Sequence, residues 1–278
     1  MTLKDMIFYA VRYGYEASVT ELLKLICGDV NIKDDKGHTP LHKAVLYQHC
    51  NLIRVLIELG AKVNTKGVYG WTPLHSAVLT HNLEMVSTLL ELRTPKCKKD
   101  EDGNLPIHLA AELGYLEITG VLCDKNTVNA INFFGSTPLH LAAIKGHIEV
   151  AKILYGSGAN IDKQDKKGNT ALIIATKNNH TPLVRFLLQR GADYNRTNYA
   201  GQTFNAFAAT EEMKNIVCKY DKSSNISVDV GLPILKSSTC KRKRHSSTSS
   251  ESSNLLDSLP RSTLSSPQYK CSNSPNMI

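Results

Sequence analysis

A glycine recurs along the chain at a nearly fixed interval. Gly37, Gly70, Gly103, Gly135, Gly168 and Gly201 are separated by 33, 33, 32, 33 and 33 residues. Two residues after each stands a related string: TPLH at 39–42, TPLH at 72–75, LPIH at 105–108, TPLH at 137–140, TALI at 170–173 and TFNA at 203–206. An alanine follows in step at Ala44, Ala77, Ala110, Ala142, Ala175 and Ala208. Self-similarity at a period of about 20–50 residues restricts the fold to stacked copies of one small unit, because a single unit cannot bury its own apolar face.

Each unit reads as two short helices and a turn. Proline falls in the first turn of helix one, where its missing N–H costs nothing, and the small alanine lets a neighbouring helix approach closely. Helix two carries apolar residues at helical spacing, as in Leu52, Ile53, Val55, Leu56 and Leu59, and Gly60 stops it. Ahead of the first register glycine, AVRYGYEASVTELL at 10–23 matches the pattern of AVLYQHCNLIRVLI at 44–57, so residues 1–33 are expected to form an N-terminal capping helix pair.

Spacing and strings together resemble the ankyrin repeat, over about residues 3–220. The resemblance implies an all-α solenoid in which β-hairpin turns alternate with antiparallel helix pairs, with repeats over residues 34–220. Two departures stand out. ELRTPKC at 91–97 replaces the pattern of ELGAKVN at 58–64, so Arg93 and Pro95 stand where a glycine stop belongs and the following hairpin is expected to be displaced. The next unit is one residue short near 124–128. The last unit, with TEEMKNIVCKY at 210–220, is short and polar, as a terminal cap should be.

Residues 221–278 differ in kind. Seventeen of these 58 residues are serine and hydrophobic periodicity is lost, so a disordered tail is expected. The whole chain carries +8, but 8 Lys+Arg against 4 Asp+Glu place +4 of it on this tail and leave +4 on residues 1–220. The run Lys241, Arg242, Lys243, Arg244 looks like a monopartite nuclear import signal for an import receptor; the alternative is a solubilising patch. Ser247, three residues after Arg244, and Ser266 and Ser274, each before a proline, are candidate phosphorylation sites whose charge would counter the cluster. Leu255, Leu256 and Leu259 form a short apolar patch, read either as a docking motif or as an ordinary cluster.

Several function classes fall away. His42, His75, His108 and His140 stand one per repeat and cannot share a metal ion; the resemblance assigns them a structural hydrogen-bonding role. Cys50 beside His49 has no carboxylate or oxyanion donor placed around it, and there is no Gly-rich phosphate loop, so no enzyme activity and no cofactor are expected. Seven cysteines without a C-x-x-C pair suit a reducing compartment. Lys4, Asp5 and Arg12 interrupt any signal peptide, and no apolar run suits a membrane span, so an intracellular monomer, nuclear or nucleocytoplasmic, is expected.

By resemblance, a protein partner binds on a concave face formed by hairpin tips and the outer part of helix one. Those positions hold Lys33, Asp35, Lys36, His38, Leu46 and Tyr47, then Val68, Tyr69, Trp71 and Leu79. Further along come acidic Glu101, Asp102 and Glu112, then Phe133, Phe134, Ile144 and Lys145, then Lys166, Lys167 and Lys177, then Tyr199. Aromatics at tips have no core to fill, so Tyr69, Trp71, Phe133 and Phe134 are the expected anchors; the alternative is that they pack on neighbouring hairpins. The resulting reading is a non-enzymatic adaptor. A narrower version is an inhibitor-of-NF-κB-like nuclear cofactor, whose cytoplasmic relatives carry an amino-terminal phosphodegron for which repeats starting almost at Met1 leave no room. Direct nucleic-acid binding is the alternative of another class, and it lacks a continuous basic stripe.

Overall fold

The computed structural model describes residues 2–25 and 29–223. The basic cluster at 241–244, Ser247, Ser266, Ser274 and the leucine patch at 255–259 lie outside the described residues. Thirteen α-helices and no β-strand occur among those that are described.

The helices come in pairs. They are α1 (Leu3–Tyr13) and α2 (Glu16–Leu25), α3 (Pro40–Leu46) and α4 (Cys50–Glu58), α5 (Pro73–Leu79) and α6 (Leu83–Glu91), α7 (Pro106–Leu113) and α8 (Leu116–Leu122), α9 (Pro138–Lys145) and α10 (Ile148–Gly156), and α11 (Ala171–Lys177) and α12 (Thr181–Gln189). The sixth registered repeat departs from the pair expected of it: a single 3-10 turn (Phe204–Phe207) stands in for helix one, before α13 (Glu211–Ser223). TFNA and TALI both lack the proline and the histidine, but Thr170 accepts the Ile173 N–H at 3.4 Å and starts α11, whereas Thr203 makes no side-chain cap bond. The helix α13 also runs three residues past position 220, where the repeats were expected to end.

Helix one of each unit packs on helix one of the next, in the order α1, α3, α5, α7, α9 and α11, and helix two lies behind it. The core runs along the seam between these two layers. Ala44, Ala77, Ala110, Ala142 and Ala175 are wholly buried there, as the close approach of successive first helices demands, whereas Ala208, beside the 3-10 turn, is half-buried. Large side chains fill the rest: Leu41, Leu52, Ile53 and Leu56 in one unit are fully buried, each contributing on the order of 2 kcal/mol by leaving water.

Every helix one whose string carries the histidine starts with the same imidazole contact. The Nδ1 of His42 accepts the backbone N–H of Thr39 at 3.3 Å, while the Thr39 hydroxyl lies 2.8 Å from the same atom. With Nδ1 accepting, the proton belongs on Nε2, which donates to the Trp71 carbonyl of the next unit at 3.0 Å. His75 reaches the Asn104 carbonyl, His108 those of Ala130 and Ser136, and His140 that of Asn169. Each imidazole thus ties a helix start to the following turn, as the family resemblance implied. Burial holds all four below the usual histidine pKa, His42 and His108 at about 4, despite the opposing pull of the carbonyls they bond.

The departure at 91–97 turns out differently from the displacement expected of it. Arg93 takes the left-handed conformation itself, φ 59°, and its N–H bonds the Leu90 carbonyl as the N–H of Gly60 bonds that of Ile57. The helix stop is therefore preserved at the cost of backbone strain, and the hairpin that follows keeps its neighbour contacts. In the short unit, Thr127 replaces the stop: its buried hydroxyl bonds the Leu122 carbonyl at 2.9 Å and accepts the Asp124 N–H at 2.8 Å.

Candidate partner-binding surface

The turns that carry the expected contact residues are small hairpins closed by one side chain each. Asp34 Oδ1 accepts the N–H groups of Lys36 and His38; Asp100, Asn132, Asp165 and Asn198 do the same in their units. This Asx turn lies three residues before each register glycine, a signal legible in the sequence that the register glycines overshadow. The second hairpin is the exception. Gly67 has no side chain to do this, and a Cβ there would press on His38 and His42 at 3.2 Å.

Hairpins from the second onward are joined into a ladder by backbone bonds. The N–H of Glu101 donates to the Tyr69 carbonyl at 3.1 Å, Phe133 to Asp102 at 2.9 Å, Lys166 to Phe134 at 3.0 Å and Tyr199 to Lys167 at 3.1 Å. Each donor also lies over the register glycine of the preceding hairpin. At Gly103, whose φ is +77°, a Cβ would stand 2.7 Å from the Phe133 ring, so both the left-handed backbone and the close approach require glycine there.

The ladder sets what each expected contact residue exposes. Glu101, Asp102, Lys166 and Lys167 are exposed. Phe133 rests on Gly103 with Lys99 Nζ 5.7 Å from its ring centre, yet remains 54% exposed; Phe134 is 60% exposed and Tyr199 75%. Phe133 therefore packs on a neighbouring hairpin and still faces solvent. Tyr69, at φ 57°, and Trp71 lie on the exceptional second hairpin with ring centres 5.4 Å apart; Tyr69 is exposed, Trp71 and Val68 half-buried. Tyr47 is exposed at the end of α3 with Arg12 of α1 5.9 Å from its ring centre.

The first helix pair adds residues that the sequence reading passed over. Tyr9, Tyr13 and Tyr15 are exposed and adjoin one another, Tyr9 tilted against Tyr13 at 4.7 Å between ring centres and Tyr13 stacked on Tyr15 at 5.9 Å. Between α1 and α3 lies a cleft of about 290 Å³ lined by Asp5, Phe8, Tyr9, Arg12, Asp34, Lys43 and Tyr47. Their signal was three tyrosines lying off the buried positions Ile7, Ala10 and Val11. Among the described residues no group of three or more His, Cys, Asp or Glu side chains is placed to hold a metal ion. No helix among them is long and apolar enough to cross a membrane.

Stacked helix pairs, joined by histidine bridges and presenting a ladder of hairpin tips, define a repeat protein built for surface contact. The family model for ankyrin repeats (3 copies) matches residues 7–100, 92–165, 122–198 and 149–220, and the chain belongs to the ankyrin repeat family. A protein of rice, BTB/POZ domain and ankyrin repeat-containing protein NPR3, is 43% identical over 65 residues, which are 23% of this chain and 11% of that one. Mouse ankyrin repeat and SAM domain-containing protein 6 is 48% identical over 46 residues, 16% of this chain and 5% of its own length. The chain thus spans only a small part of these curated relatives. Among solved structures, the ankyrin repeat domain of Bcl-3, described as a unique member of the IkappaB protein family, superposes with a TM-score of 0.69 at 25% identity, covering 77% of this chain and 97% of that domain.

Proposed function

We propose that this chain is a non-enzymatic adaptor that holds a partner protein along its hairpin tips and the adjoining ends of helix one. The observation that carries the reading is the exposure of Phe133, Phe134 and Tyr199 on a backbone-bonded ladder, where apolar rings face water at fixed positions. Rigid presentation lowers the ordering cost of binding. Tyr47, Val68, Tyr69, Trp71, Glu101, Asp102, Lys166 and Lys167 complete the proposed face.

Affinity capture with the full chain, read by mass spectrometry, tests this. The double variant F133A/F134A is expected to lower partner recovery at least tenfold, with little change in melting temperature. A large thermal loss instead marks both rings as structural.

The IkappaB membership of the Bcl-3 neighbour, matched over nearly its whole length, favours a second, narrower reading as an inhibitor-of-NF-κB-like nuclear cofactor. Transcription factors are then expected among the captured proteins. In either reading the serine-rich tail supplies the address: residues 241–244 act as the import signal, with phosphorylation of Ser247, Ser266 and Ser274 opposing their charge. Replacing those four basic residues with alanine is expected to shift the protein from nucleus to cytoplasm, and an unchanged distribution removes this part of the proposal. The fold implies a protein partner; the acidic third hairpin argues against a continuous phosphate-binding stripe.

A further inference from the structure

From the third to the fifth registered hairpin, the exposed residue pairs at the tips are sorted by charge. Glu101 and Asp102 occupy the third registered hairpin, Phe133 and Phe134 the fourth, and Lys166 and Lys167 the fifth, all exposed. Among the described residues none of the four charged side chains forms an ion pair with a neighbour, and Phe134 has no ring partner. The backbone bonds from Phe133 to Asp102 and from Lys166 to Phe134 fix the order acidic, aromatic, basic. Successive units are spaced by packed helices at about 8–10 Å, so the acidic and basic tips stand about 20 Å apart. An extended peptide rises about 3.3 Å per residue and covers that gap in about six residues.

Resting on the hairpin face proposed above, we infer that the partner contributes an extended segment with an apolar pair at its centre, acidic residues on one side and basic residues on the other, the two charged groups about six positions apart. The acidic group lies on Lys166 and Lys167, the apolar pair on Phe133 and Phe134, and the basic group on Glu101 and Asp102. A uniform polyanion such as single-stranded DNA gains the lysines but meets Glu101 and Asp102 one hairpin beyond the rings, so it is disfavoured.

The test uses the full chain and synthetic peptides read by fluorescence anisotropy. Peptides with two Glu and two Lys flanking Leu-Leu, at separations from three to nine positions, are compared with peptides flanked on both sides by Glu, on both sides by Lys, or by Glu-Lys pairs of the same composition. Tightest binding is expected for the sorted peptide at a separation near six, at least tenfold above each comparison peptide. It should fall at least tenfold in E101K/D102K and in K166E/K167E, and the fourfold charge-swapped variant should recover it with the peptide reversed across the ladder. Equal binding of sorted and mixed peptides, no binding of any, or tighter binding of a single-stranded oligonucleotide overturns the inference. The general face is judged separately: captured protein lost in F133A/F134A but indifferent to both charge reversals leaves the adaptor reading standing and removes the sorted partner alone.

Discussion

Four imidazoles buried without charge make the stack sensitive to acid. His42 and His108 are held at about 4 in the folded protein against 6.5 in the unfolded chain, so unfolding takes up protons as pH falls through that window. Their contribution is complete above pH 6.5 and is lost as pH drops toward 4, at about 1.4 kcal/mol per pH unit for each, on the order of 3 kcal/mol per histidine. The urea midpoint is therefore expected to fall steeply between pH 6.5 and 4.5, and a flat profile contradicts neutral buried histidines. A second histidine set was not legible as such. His49, His147 and His180, each just ahead of a helix two, donate to the Arg12, Glu112 and Ile144 carbonyls of the preceding unit, over Gly14, Gly114 and Gly146. Elsewhere that junction is filled by other pairs, Asn82 with Gln48 at 3.0 Å and Tyr115 stacked on His81 at 3.9 Å. One unit supplies the space and the next the side chain, so neither residue announces the pair alone.

At the scale of the element, the helix starts were the most legible part. Proline and histidine at fixed offsets state a first turn and a bridge, with a threonine cap ahead of them in α3, α5 and α9, and α3, α5, α7 and α9 begin at that proline. Helix stops were less legible, because the left-handed turn they need can be met by a strained residue as well as by glycine. Arg93 is that case, and Arg93→Gly is expected to stabilise the protein by about 1 kcal/mol through relief of its positive φ, measured by denaturant midpoint. A neutral or destabilising result shows that the Arg93 side chain contributes as much as the strain costs. The sixth unit marks the limit of the pattern: its Thr203 makes no side-chain cap bond, and its first helix shortens to a 3-10 turn.

The main contacts among the described repeats run between neighbouring units, so their stability is largely a chain of local interfaces. Hydrogen exchange is expected to be slowest in α7 and α9, which lie mid-stack and pack most extensively on each other, and fastest in α1 and α13 at the ends, as mass spectrometry of exchanging peptides will show. Equal protection throughout implies a single cooperative unit and contradicts this picture. The repeat register, the two-helix unit, the helix starts and the family were set by residue pattern alone, because capping and burial depend on spacing within about one turn of helix. Which tip residues pack and which remain exposed was decided only in the tertiary structure. Phe133 and Phe134 are adjacent in sequence, yet one lies over Gly103 of the unit before and the other lends its carbonyl to Lys166 of the unit after. That division depends on the backbone bonds between hairpins about 33 residues apart, and periodicity along a single chain reports the repeat but not what its neighbours leave uncovered.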